Sequence, residues 1–205
     1  RSIKYSIDLR RKTRPRASLT LAYNNHSGPG SPSCEPQWRN RGTNYTQLKN
    51  ACYWNYFRVY LPQSVTLLTN NLLPLPDYSV SAHLGHKLPG NDTVEITSSY
   101  NKSLISGLFS LEAGGKQYVD LVYDLPQNMV SWNHNTIQYR LLIQKQPGVR
   151  QRQISVELLI PKGYHLESSS RTPSSSSDTR IEFIFPLKQD IQLDVNLTKE
   201  TKLPN

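Results

Sequence analysis

Long apolar runs are absent from this sequence. None approaches the roughly 18 to 20 residues that a membrane-spanning helix needs, so no transmembrane segment is expected in the chain. Nor does a signal-peptide pattern occur. With Arg1 where an initiator methionine would stand, the expectation is a processed or excised piece. Methionine occurs once and cysteine twice in 205 residues. Acidic residues number 15 against 24 Lys and Arg, for a net charge of +9. Hydrophobic residues make up 36%, low for a globular chain yet above what a disordered one holds. The length suits one large domain or two small ones.

Signatures of chemistry are missing too. No GxSxG elbow, P-loop or dinucleotide-binding glycine pattern occurs. Of His26, His83, His86, His134 and His165, only His83 and His86 are close in sequence. They fall in a Gly/Pro-rich loop with no third or fourth ligand at a spacing that suits zinc. Asp120 and Asp124 share an outward strand face, which reads as solvated charge rather than a glycosidase pair. The expectation is a non-enzymatic protein without catalytic residues, metal or cofactor.

What is present is period-two alternation, with no helical stripe to compete. Ile3, Tyr5, Ile7 and Leu9 alternate with Lys4, Ser6, Asp8 and Arg10. The rhythm recurs at Ala17/Leu19/Leu21/Tyr23, Val119/Leu121/Tyr123/Leu125, Tyr139/Leu141/Ile143, Ile154/Val156/Leu158/Ile160, Ile181/Phe183/Phe185 and Ile191/Leu193/Val195/Leu197. Alternation puts one face of each strand into a core and the other toward water. About eleven or twelve such strands between turn-rich segments predict an all-β antiparallel β-sandwich.

An internal echo bears on domain organisation. Residues 56–68, YFRVYLPQSVTLL, parallel 155–167, SVELLIPKGYHLE; residues 107–125 parallel 180–197. Two tandem immunoglobulin-like units would explain it: 1–127, carrying a loop insertion at 24–52, and 137–205, joined through 128–136. The second unit looks short of strands. Generic strand–turn–strand grammar explains the echo as well. Gln146-Pro147-Gly148 reads as a turn linking strands near 139–145 and 153–160. The Ser-rich stretch 168–180 reads as a mobile hairpin loop.

Cys34 and Cys52 bracket a polar Gly/Pro/Asn-rich segment. A disulfide between them would close a loop of about 19 residues, contributing on the order of 3 kcal/mol in the chain-entropy model. The alternative is two free thiols. A disulfide favours an oxidising, extracytoplasmic setting, as do sequons at Asn25, Asn44, Asn91, Asn101 and Asn196.

Residues 52–62, CYWNYFRVYLP, put Trp54, Tyr56, Arg58 and Tyr60 on one strand face and Tyr53, Asn55, Phe57, Val59 and Leu61 on the other. Both faces are rich in rings or apolar groups. Three readings compete for the first: packing under the cysteine-tethered loop, a protein interface, and a platform that stacks on sugars.

This stretch resembles the carboxy-terminal extracytoplasmic region of a family of large bacterial membrane-anchored cell-envelope proteins of unknown function. RSIKYSIDL, GLFSLEAGGKQYVDLVYDLP and LLIQKQPG share the likeness, which spreads over about residues 1–160. The resemblance implies an extracellular or cell-surface location and supplies no reaction.

The charge is concentrated. Arg1, Lys4, Arg10, Arg11, Lys12, Arg14 and Arg16 stand against Asp8 alone in the first sixteen residues, six of the nine excess charges. RRKTRPR reads as a solvated hairpin tip or as a contact for an anionic glycopolymer, membrane surface or partner. The basic–aromatic interleaving of nucleic-acid modules is missing, so no nucleic acid is expected.

The leading functional expectation is an extracellular structural or adhesive protein. A strand-poor second unit beside the clean first strand predicts head-to-tail self-association by strand donation, giving a filament. Ile3, Tyr5, Ile7 and Leu9 are the interface residues of that scheme, with Trp54, Tyr56 and Tyr60. A carbohydrate-binding or adhesion module of the cell envelope is the alternative.

Overall fold

The structure, a computed structural model, describes residues 2–27, 45, 52–73, 94–148 and 152–200. It is nearly all β. In chain order the strands are β1 (Ser2–Asp8), β2 (Arg16–Asn24), β3 (Tyr53–Pro62), β4 (Thr66–Asn70), β5 (Val94–Ser99), β6 (Lys102–Leu111) and β7 (Lys116–Asp124). There follow β8 (Val130–Trp132), β9 (Thr136–Ile143), β10 (Arg152–Leu159), β11 (Tyr164–Ser169), β12 (Ser175–Ser176), β13 (Arg180–Leu187) and β14 (Ile191–Lys199). They form a seven-stranded sheet ordered β12-β13-β10-β1-β2-β7-β4, a four-stranded sheet β11-β14-β9-β8 and a three-stranded sheet β3-β6-β5.

Two compact units emerge: Arg1–Leu21 with Ser64–Thr69 and Leu121–Asn205, and Ala22–Gln63 with Asn70–Asp120. This is interleaving rather than a tandem pair divided at 128–136. The reason lies in β1, which pairs in parallel with β10 and so joins the two ends of the chain in one sheet. Residues 128–136 are no linker, since β8 pairs antiparallel with β9. The sequence echo has a topological counterpart. In each of β3–β4, β6–β7, β10–β11 and β13–β14, the two strands belong to different sheets. Pro62 and Pro161, which lack the N–H a ladder needs, stand at two of these corners.

In the first unit alternation translates directly into burial. Parallel and antiparallel registers align Ile7 with Leu158 and Ile181, and Tyr5 with Val156 and Phe183. Ile7, Val156, Leu158, Ile181 and Phe183 are wholly buried. From the four-stranded sheet Ile137, Leu193, Val195 and Leu197 supply the facing layer. The Tyr5 and Tyr139 hydroxyls, one from each sheet, share a buried 2.8 Å hydrogen bond. Each fully buried aliphatic side chain contributes roughly 1.5–3 kcal/mol. The proposed interface residues Tyr5, Ile7 and Leu9 are therefore core, and Ile3 is half-buried beside them.

Residues 146–148 turn as expected, with Gly148 at φ +73°, between β9 and β10, which belong to different sheets. The expectation for the other loop changes. The Ser-rich stretch is pinned to the fold. Ser170 N–H donates to the Asp194 carbonyl, its hydroxyl accepts from Asp194 N–H, and Ser174 N–H donates to the Glu182 carbonyl. Serine hydroxyls that bond backbone groups give this stretch order that its apolar content could not.

In the second unit the ten-residue β3 lies along β6, with Phe57, Leu61, Ile105, Phe109 and Leu111 buried. Gly107 sits opposite Phe57. A Cβ there would lie 2.7 Å from the Phe57 ring and 2.9 Å from Leu72. The glycine makes room for the ring that covers it.

Candidate functional site

The three-stranded sheet presents its other face outward. Alternation along β3 turns Tyr56, Arg58 and Tyr60 to solvent, with the two tyrosines 52% and 49% exposed. Trp54, half-buried, precedes them on that face. Across the ladder Tyr56 faces Leu108, Arg58 faces Ser106 and Tyr60 faces Leu104. Ser106 in turn faces Glu95 on β5, and Leu104 faces Thr97. Two rings four residues apart stand about 13 Å apart along the strand. Between them the Arg58 guanidinium lies 5.2 Å from the Tyr56 ring centroid, within cation–π range. Arg58 is held above its ordinary value first by a hydrogen bond to the Tyr56 phenol, with Tyr60 adding a smaller effect. The platform is thus an exposed cation, stacked over one ring, between two half-exposed tyrosines. It offers π faces to C–H groups and fork donors to oxygen.

At the end of this sheet the β5–β6 hairpin turns through Tyr100 and Asn101, both at positive φ (52° and 56°). Asparagine tolerates that conformation, whereas tyrosine is strained in it. Tyr100 is 90% exposed. An aromatic residue held fully in water at a strained turn is a binding hint, because it gains nothing from folding there.

The sequons separate by environment. Asn101 is exposed. Asn25 is buried, and its side-chain N–H donates to the Leu111 carbonyl at 3.0 Å, so the nitrogen that would carry a sugar is engaged in the fold. Asn196 is half-buried and donates to Ser168. Asn44 and Asn91 lie outside the described residues. So does Cys34; its expected partner Cys52 is not a free thiol.

The basic patch divides in two. Arg10 makes a bidentate pair with Asp8, and Arg16 pairs with the buried Asp124. Arg11, Lys12 and Arg14 are exposed at the tip between β1 and β2. The Asp124 carboxyl is held below its usual range, chiefly by the Arg16 hydrogen bond. Its burial against Arg16 overturns its reading as outward solvated charge. Asp120 meets Asn71 in a reciprocal pair, accepting from the Asn71 amide while its own N–H donates to the Asn71 oxygen. The two aspartates therefore serve structure at separate places.

Sequence reasoning missed one carboxylate couple. Glu157 on β10 and Glu182 on β13 are direct register partners. Like charges in that position repel. Ser6 and Arg180 offset Glu157, and Ser155 offsets Glu182. No signal in the sequence could have paired them, because their register depends on two strands meeting across 25 residues. Among the described residues no three His, Cys, Asp or Glu side chains gather as metal ligands. His26, His134 and His165 are exposed and separate, while His83 and His86 lie outside the described residues.

No known protein family matches this chain, and no curated protein does.

Proposed function

We propose that this chain is a non-enzymatic, extracellular cell-surface module that binds carbohydrate through the outer face of its three-stranded sheet. The single observation that carries this reading is the Tyr56–Arg58–Tyr60 row: half-exposed rings flanking a cation on one face of a paired strand. Rings at such exposure suit the apolar face of a sugar, and the guanidinium suits its oxygens. Trp54, half-buried, precedes the row on the same strand face, and the exposed Tyr100 stands at the turn that joins β5 and β6. That Cys52 is not a free thiol, the exposed sequon at Asn101 and the resemblance to bacterial cell-envelope proteins support the cell-surface setting.

A filament built by donating β1 is less well supported. β1 lies between β10 and β2 inside its own sheet. Donation would break both ladders and uncover Tyr5, Ile7 and Leu9 until another chain replaced them. Adhesion through a preformed face carries no such cost.

A glycan array tests the proposal. The protein should bind a defined subset of envelope glycans, and Tyr56→Ala with Tyr60→Ala should abolish that binding while the thermal melt stays within a few degrees. Unchanged binding in the double variant, or no glycan bound by the parent, sinks it.

A further inference from the structure

The tip between β1 and β2 is built as two kinds of cation. Arg10 and Arg16 are its anchors. Arg10 donates from Nε and Nη2, one edge of its guanidinium, to the two oxygens of Asp8, whose carboxylate also accepts the Arg10 backbone N–H. Arg16 bonds Asp124, and the Pro15 carbonyl accepts from Leu125 N–H. These contacts clamp the base of the tip to its own sheet. Arg11 closes it from within by donating Nε–H to the Arg14 carbonyl at 3.2 Å. The Lys12 ammonium stands 6.0 Å from the centroid of Trp132, whose ring in turn meets Tyr164 edge-on.

Counting the five cations against Asp8 and Asp124 leaves the tip at +3, carried by Arg11, Lys12 and Arg14. Among the described residues none of these three has a carboxylate within ion-pair reach. Like charges crowded on one short turn repel one another, so the arrangement costs stability unless something else uses it. The structure supplies scaffolding that holds them together despite that cost. We propose that this tip is a receptor for a linear phosphate-bearing polymer, with Arg11 and Arg14 gripping phosphate oxygens and Lys12 contributing a point charge.

Charge complementarity names the ligand class. Arginine forks match phosphate oxygens in two-point contacts, and lysine accepts them less directionally. A lipid surface is the poorer fit, because the tip offers no apolar anchor: Leu9 and Pro15 are buried and Thr13 is polar. Membrane-surface segments pair their cations with exposed apolar groups. The site is independent of the carbohydrate platform and stands if that reading fails.

The test uses the full chain and long-chain inorganic polyphosphate, read by fluorescence anisotropy or calorimetry across a salt series. Parent protein should bind, with affinity falling as salt rises. The triple variant Arg11→Gln, Lys12→Gln, Arg14→Gln should bind about ten-fold or more weakly, with a salt slope lower by about 2, as expected for three lost phosphate contacts on a single-stranded polyanion. A variant removing the same charge elsewhere, Lys102→Gln, Lys116→Gln, Lys188→Gln, should retain most of the parent affinity. Equal loss in both variants would reduce the effect to net charge and overturn the proposal. So would unchanged binding in the tip variant. Binding to phosphatidylglycerol vesicles without binding to polyphosphate would assign the tip to membranes instead and equally overturn it.

Discussion

Single residues in this protein are decided by whether their polar atoms find partners. Tyr5 and Tyr139 show it most directly: two phenols buried between sheets, each the other's hydrogen-bond partner. Replacing Tyr5 by Phe removes one hydroxyl and strands the other, a loss of about 1–3 kcal/mol. Replacing both should cost less than the sum of the two single changes, because no orphan then remains. Urea denaturation of Tyr5→Phe, Tyr139→Phe and the double variant would measure this; strictly additive losses would show that the pair is not coupled. The sequence showed both tyrosines as inward positions. It gave no sign that they would meet across 134 residues. Asn25 makes the same point from the other side, since its sequon reads as a surface feature and its side chain is spent on Leu111.

At the scale of the element, β3 and β6 show how one ladder makes both a core and a surface. Inward, Phe57 fills the space that Gly107 leaves; outward, Tyr56, Arg58 and Tyr60 are exposed. Gly107→Ala should destabilise the protein by about 1–3 kcal/mol, because the ring and the Leu72 methyl stand too close to give way without strain. Thermal melting checks it, and a melt equal to the parent's would mean the ring is free to move. The same displacement should disturb the outer row, so glycan binding is expected to weaken in step with stability. The alternation that separates these two faces was readable from CYWNYFRVYLP. Which face would be core was open, since each carried rings, and the decision came from the strand opposite. β6 brings Phe109, Ile105 and Gly107 to one side and Leu108, Ser106 and Leu104 to the other.

For the molecule as a whole, ionisation bounds stability on both sides. Asp8 is held below the usual carboxylate range first by its Arg10 hydrogen bond and Asp124 by its Arg16 hydrogen bond. Asp194 is lowered by its bonds to Gln192 and Arg140. A depressed folded-state value means these groups stabilise the protein fully above the unfolded value of about 3.9. That contribution is lost as pH falls through the folded values. Burial drives the Tyr5, Tyr123 and Tyr139 phenols upward. The folded state then holds protons that the unfolded chain releases above about pH 10. Stability should therefore fall as pH rises past that point, by about 1.4 kcal/mol per pH unit for each phenol. Melting temperature against pH should trace a plateau that drops at both ends. The Tyr5→Phe, Tyr139→Phe variant should show a shallower alkaline limb, and a limb as steep as the parent's would assign that loss to other groups.

Much of this architecture was written locally. Period-two alternation determined that the chain is all β, which residues on each strand share a face, and that Tyr56, Arg58 and Tyr60 would lie together on one. Those are consequences of backbone geometry acting over a few residues. Pairing across the chain was decided only by the tertiary structure. β1 joins β10 in parallel, which interleaves the units, buries Ile7 and Leu9, and withdraws them from any interface. It also decided which tip cations are anchored and which are free, because Asp124 reaches Arg16 from 108 residues away. Strand order and charge partners depend on which distant segments can share a core, and no local pattern carries that information.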